Sequence, residues 1–174
     1  MPATPASDAQ ERLYREAVDA HGAALARLAQ AYEREPDARR DLLQDIHVGL
    51  WRSFATYDGR CSLRTWTYRV AHNVAASHIE AARRRGQAFL DLEDVVLVDG
   101  SDVEADVGAQ HALGRLHALI RQLKPIDRQV IQLWLEELPA ASIAEITGLS
   151  GGAVATKVHR IKALLAQRFK GERS

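Results

Sequence analysis

Arg60, Arg64, Trp66, Tyr68, Arg69, His72 and Asn73 fall within one short stretch of the chain. Arginine holds phosphate, an aromatic ring stacks on an unpaired base, and an asparagine amide reads a base edge. On a helix, Trp66 lies on the apolar stripe, whereas Arg64, Tyr68, Arg69, His72 and Asn73 fall largely off it. Such a surface suits single-stranded DNA. Stacking contributes about 1–3 kcal/mol per base, comparable to the roughly 2–4 kcal/mol needed to unstack one from a duplex. The surface could therefore hold DNA that another process helped to open. The competing reading makes the aromatics core residues and the arginines merely solvated. Trp51 and Phe54 are assigned to the core on that reading. For Tyr68 and Asn73, residue types leave both readings open.

A second constellation lies near the C-terminus, in PAASIAEITGLSGGAVATKVHRIKALLAQRF. Ala144 is small where two helices must approach, and Gly148 suits the left-handed residue that ends a helix. Ser150 can cap the next helix. Ile143, Ile146 and Leu149 face inwards, followed by a buried stripe of Val154, Val158, Ile161 and Leu165. A helical wheel puts Thr156, His159, Arg160 and Ala163 on the far side, with Lys157 and Lys162 on its flanks. A helix-turn-helix lays its second helix in the major groove in this way.

Other chemistry finds little support. The chain carries no phosphate-binding glycine loop and no nucleophile–base pairing. Its histidines are scattered: His72 and His78, or His111 and His117, are six apart and do not share a helix face. No enzymatic activity, cofactor or metal is expected. Cys61 is the single cysteine, so no internal disulfide framework exists, which suits a reducing cytoplasm. It lies near a turn and arginines, which would suit a redox switch, but we read it as a spectator thiol.

These residues need helices to position them. The first helix is expected from about Asp8 to Glu35, broken near Gly22 and ended by Pro36. A second runs from about Asp37 to Tyr57, with Leu42, Ile46, Leu50 and Phe54 as its apolar stripe. After the turn signal YDGR comes a third, from about Leu63 to Arg85, with Leu63, Trp66, Val70, Val74 and Ile79 as its stripe. Residues 86–110 lack a helical period and are read as a mostly extended linker. Four more helices are expected at about 110–122, 126–137, 140–147 and 151–169. The fold class is all-α: two small helical domains on a tether.

The 174 residues suffice for one medium domain or two small ones, and 47% are hydrophobic, as in a globular protein. There is no membrane-spanning run and no secretory signal, so a cytoplasmic location is expected. The net charge of zero hides a segregation. Residues 60–85 carry six arginines against Glu80, and residues 151–174 carry six basic residues against Glu172. Residues 86–110 between them hold seven acids and no Lys or Arg. The pattern basic, acidic, basic says more about partners than the total does.

With both constellations in place, the order of DLLQDIHVGLWRSF, RTWTYRVAHN and LKPIDRQVIQLWLEELPAASIAEITGLSGGAVATKVHRIKALL resembles the extracytoplasmic-function (ECF) class of bacterial sigma factors. These are small members of the sigma-70 family that keep only the second and fourth sigma domains. The resemblance covers about residues 10–85 and 110–168. It implies a three-helix-type sigma domain 2 over 8–85, a linker over 86–109, and a four-helix sigma domain 4 over 110–170 with its helix-turn-helix at about 139–166. It implies a factor that binds core RNA polymerase and directs promoter-specific initiation, with an anti-sigma factor as a further partner. Asp41, Leu42, Gln44, Asp45, Val48 and Trp51 would dock on the polymerase clamp helices. Arg60, Arg64, Trp66, Tyr68, Arg69 and Asn73 would melt and capture the −10 element. Thr156, Lys157, His159, Arg160 and Lys162 would read the −35 element, and the same domain would touch the polymerase flap. The acidic linker would thread the basic polymerase cleft, so neutralising its acids should weaken holoenzyme formation, most at low salt.

Three departures from the family pattern stand out. Arg39 and Arg40 precede Asp41 where relatives often carry acids. Ala155 stands where many have Lys or Arg, which removes one phosphate contact. His47 sits where relatives usually have a large apolar residue. Apart from the family pattern, Gly49 reads as a weak spot in its helix, costing roughly 1 kcal/mol against alanine. The alternatives are a helix-turn-helix regulator that only resembles domain 4, or a sigma-like adaptor that does not itself initiate. RTWTYRVAHN speaks against the regulator, which needs no melting surface.

Overall fold

The computed structural model describes residues 5–85 and 108–171. The acidic linker read at 86–109 therefore lies almost entirely outside the described residues. The helices are α1 (Pro5–Tyr32), α2 (Pro36–Ser53), α3 (Leu63–Arg84), α4 (Gly108–Gln122), α5 (Pro125–Leu135), α6 (Ala140–Thr147) and α7 (Gly151–Gly171), and no strand occurs among the described residues. The all-α expectation holds.

α1 runs through Gly22 without the expected break. A β-carbon there would meet only Val18 of the same helix, at 3.7 Å. The glycine costs about 1 kcal/mol of helix propensity. Burial of Ala17, Ala24, Leu25, Leu28, Ala29 and Ala31 along one side outweighs it. Pro36 does not end this helix so much as begin the next, where its missing N–H is harmless. α2 stops short of Tyr57 because successive i→i+3 bonds, Ala55 N–H to Arg52 and Thr56 N–H to Ser53, tighten the chain out of the α-helical path.

Leu42, Ile46, Leu50 and Phe54 turn inwards from α2 as their four-residue spacing predicts. Gly49 sits at a close helix–helix contact. A β-carbon there would lie 2.9 Å from Cγ2 of Val74 on α3, so its absence lets the two helices meet. The weak-spot reading weighed helix propensity alone and missed this contact.

The turn between α5 and α6 closes on Glu137, whose φ of 59° is uncommon for a residue with a side chain. Leu138 N–H donates to the Leu133 carbonyl and Glu137 N–H to that of Trp134, the paired bonds of a Schellman motif. Leu133 and Leu138, both buried, anchor it. The motif places Glu136 at the C-cap of α5. At the next turn Gly148 is left-handed as expected (φ 75°), and Ser150 Oγ accepts from Ala153 N–H to start α7.

The sequence did not show how the two groups of helices meet. α4 packs on α1, and α5 and α6 pack on α3. Buried apolar residues from both groups form one continuous cluster, from Ala17 to Leu165.

Candidate polymerase and nucleic-acid interfaces

On α2 the outward face carries Asp41, Gln44, Asp45, Val48 and Trp51, all exposed. Val48 and Trp51 keep 41% and 42% of their surface in solvent, an exposed apolar pair one turn apart on this face. This corrects the assignment of Trp51 to the core. It also removes Leu42 from the clamp set, because Leu42 is fully buried between the helices. Arg39 is no substitute for an acid on this face. Its guanidinium donates to the carbonyls of Glu33 and Arg34, just past the end of α1, where a cation complements unpaired carbonyls and the helix dipole. Arg40 makes only an exposed ion pair with Asp37.

The loop before α3 is well braced. Tyr57 Oη donates to the Cys61 carbonyl at 2.7 Å, Asp58 accepts from Arg60 N–H, and Gly59 supplies a φ of 75°. Ser62 Oγ then accepts from Thr65 N–H and caps α3. Arg60 is largely exposed, with its guanidinium 3.0 Å from Asp58. Trp66 is half-buried: its ring leans on Tyr57 and its Nε1–H donates to Ser53 Oγ, so its indole is part of the brace.

Further along α3 the sequence reading fails instructively. Tyr68 is 2% exposed and His72 is 1% exposed, although the wheel put both off the apolar stripe. Tyr68 lies against His21 of α1, and its hydroxyl is held protonated above its ordinary range by burial and the nearby Glu136 carboxylate. His72 shares a hydrogen bond with Tyr32. Burial pushes its pKa down to about 3, so the ring is neutral. α1 thus meets this side through His21 and Tyr32, and the C-terminal helices add polar contacts to the arginines beside it. Arg64 donates to the Glu136 carbonyl at 2.6 Å, and Arg69 pairs with Glu145 at 3.1 Å. Arg27 grips both carboxylate oxygens of Glu136 at 2.7 Å. Arg121 donates to the Gln30 carbonyl, and Arg128 stacks 5.0 Å over the Tyr32 ring. Asn73 alone of the amide–aromatic set stays exposed.

α7 presents Thr156, His159 and Arg160 to solvent. Lys157 does not join them. Its ammonium turns inwards to Asp127, a buried carboxylate of α5, at 2.7 Å. This corrects its place among the exposed DNA-reading residues. Lys162 lies 4.6 Å over the Trp134 ring, on the flank the wheel gave it. Sequence reasoning missed Asp127, Glu136, Glu145, Arg27, Arg121 and Arg128. Their partners lie from 30 to 109 positions away or within the packed interface, and no local pattern encodes such pairs.

Two family models match the chain: Sigma-70 region 2 over residues 17–85, and Sigma-70, region 4 over residues 113–165. The chain is a member of the sigma-70 family, of the ECF class. It is similar to the RNA polymerase sigma factor CnrH of Cupriavidus metallidurans, 27% identical over 172 residues, or 94% of this chain and 90% of that one. The ECF RNA polymerase sigma factor SigM of Mycobacterium tuberculosis is 26% identical over 84% of this chain and 72% of its own length. Among solved structures, CnrH in complex with the cytosolic domain of CnrY superposes with a TM-score of 0.67 at 22% identity, covering 95% of this chain and 93% of that one. The sigma factor RpoE of Bartonella quintana, solved with the anti-sigma factor NepR, has the same TM-score at 18% identity over 90% and 96% of the two chains. These structures share its fold. Like its relatives, the ECF protein is a sigma factor that directs transcription initiation.

Proposed function

We propose that this ECF protein divides its work between the two groups of helices. Residues 8–85 bind core RNA polymerase and capture the −10 element, 86–109 tether, and 110–170 read the −35 element. Asp41, Gln44, Asp45, Val48 and Trp51 form the polymerase-docking face. Arg60, Arg64, Arg69 and Asn73 handle the −10 strand, with Tyr68 as a stacking platform once uncovered and Trp66 as the brace beneath. Thr156, His159 and Arg160 contact −35 DNA, with Lys162 at the edge. The observation that carries this reading is the exposed Val48–Trp51 face on α2, in the same chain as an exposed Thr156–Arg160 face on a helix-turn-helix.

On this reading the protein positions DNA and polymerase and makes no bond itself; the polymerase supplies the chemistry. It works in the cytoplasm, and an anti-sigma factor is its natural regulator, as NepR is the anti-sigma partner of the RpoE it resembles in fold. No described helix is long and apolar enough to cross a membrane. The test is transcription from a linear promoter library with purified core polymerase. Promoter-specific initiation that Val48→Asp/Trp51→Ala abolishes is expected. Core binding without transcripts, or duplex binding without core, would overturn it.

A further inference from the structure

Cations crowd the end of α1 without acids to balance them. Arg39 of α2 donates to the carbonyls of Glu33 and Arg34, and Arg121 of α4 donates to the Gln30 carbonyl at 2.9 Å. Both guanidiniums therefore gather at the last turn of α1, beside Arg34. The acids nearby in the chain do not neutralise them. Glu33 is engaged by His78, Asp37 pairs with Arg40, and Glu35 pairs with none of these arginines. Burial, then the charges of Arg34 and Arg39, push the Arg121 guanidinium below its ordinary range, with Glu33 opposing them. A partly buried cation among like charges is costly unless an anion joins it.

Donors are also to spare. A guanidinium carries several N–H groups. Arg39 commits Nε and Nη2, Arg121 commits Nη1, and the exposed Arg34 side chain commits none to the described residues. Arg121 so keeps its Nε–Nη2 edge, which can grip a pair of phosphate oxygens side by side. His117 of α4 is 4% exposed, and its Nδ1 has no hydrogen-bond partner among the described residues. Burial, then Arg121 and Arg39, lower its pKa, so the ring is neutral and can present an N–H at that atom.

We propose that Arg34, Arg39 and Arg121, with His117, form a binding site for a diphosphate group. The arginines come from separate elements: the end of α1, the start of α2 and the last turn of α4. A single carboxylate is too small to serve them all, whereas linked phosphates can bridge them with charge-assisted bonds. None of these residues belongs to the polymerase or DNA surfaces proposed above, so the site is independent of the sigma-factor reading. Arg39, where the family pattern often has an acid, supplies a cation to it. A ligand held there joins α1 and α2 to α4 and stabilises the folded chain.

The test titrates inorganic pyrophosphate into the full chain, in magnesium-free buffer at physiological ionic strength, and follows binding by calorimetry. Wild type should show one saturable site, with sulfate about tenfold weaker. R34E changes an exposed side chain and spares the contacts at the helix end; it should weaken pyrophosphate binding about tenfold. R39Q/R121Q should abolish binding. R12E makes the same charge reversal near the start of α1, at another exposed position, and should bind as wild type does. Tm should climb with pyrophosphate concentration in wild type and R12E and stay flat in R39Q/R121Q. Should R39Q/R121Q fail to fold, R34E against R12E decides. ADP, titrated in parallel, distinguishes the sources: tighter binding than pyrophosphate places the diphosphate on a nucleotide, and weaker binding makes the free anion the ligand. No saturable binding to wild type would overturn the site. So would equal losses in R34E and R12E, which would reduce the effect to net charge. Random-sequence duplex DNA that binds through Arg34 while pyrophosphate does not would give these arginines to a nucleic-acid backbone and overturn the site as well.

Discussion

α3 and α7 look alike on paper. Each is a helix of about six turns with an apolar stripe, flanking arginine or lysine, and a polar face suited to DNA. In the fold they part company. The predicted face of α7 is open apart from Lys157, whereas that of α3 is buried at Tyr68 and His72 and pinned at Arg64 and Arg69. The helical wheel found the side of α3 that meets α2, where Val74 faces Gly49. It missed that α1 of the same bundle packs on the neighbouring side, where Tyr68 meets His21 and His72 meets Tyr32.

The comparison breaks first on Tyr68. Tyr68→Ala removes a buried ring and should cost about 3–5 kcal/mol in urea unfolding, whereas Thr156→Ala on α7 should stay within about 0.5 kcal/mol. Equal midpoints would mean that α3 is as open as α7.

His72 tests the same difference through pH. Its native pKa of about 3 lies below the unfolded value, so the unfolded chain binds the extra proton between about pH 6.5 and 3. Stability is therefore full above that window and falls as pH drops through it, by up to about 1.4 kcal/mol per pH unit from this group. Unfolding between pH 7 and 5 should show a shallower loss in His72→Gln than in wild type.

Lys157 and Arg160 sharpen the contrast within α7 itself. Lys157→Ala strands the Asp127 carboxylate and should cost roughly 1–3 kcal/mol, discounted from a fully buried pair because Lys157 is 30% exposed. Arg160→Ala should leave stability within about 0.5 kcal/mol and lower the salt slope of −35 duplex binding by about 0.9. The reverse pattern would mean that α7 is turned the other way.

The smallest effect is at Gly49. Alanine there gains about 1 kcal/mol of helix propensity but drives a methyl into Val74, a clash worth about 1–3 kcal/mol. A net loss of roughly 1 kcal/mol in the unfolding midpoint is expected, against the gain that propensity alone predicts.

Much of the molecule was legible in advance because it depends on neighbours along the chain. Helix positions, the Gly148 turn, the Ser150 cap and the inward run Leu42–Ile46–Leu50 follow from periods and caps a few residues long. So does the exposed Thr156–His159–Arg160 face. Gly49 and Lys157 were misread, and the contacts of Arg39 went unseen, because each answers to something farther off. Gly49 meets a valine on the next helix, Arg39 the end of the previous one, and Lys157 a carboxylate 30 residues back.

By itself, then, the sequence determined two helical groups, their internal cores and a helix-turn-helix with an open reading face. Local propensity and burial periodicity are enough for that. Only the tertiary structure decided which DNA-facing surface is free. That choice rests on α1 meeting Tyr68 and His72, and on Glu136 and Glu145 meeting Arg27, Arg64 and Arg69 across 72 to 109 positions, matches that no local pattern carries.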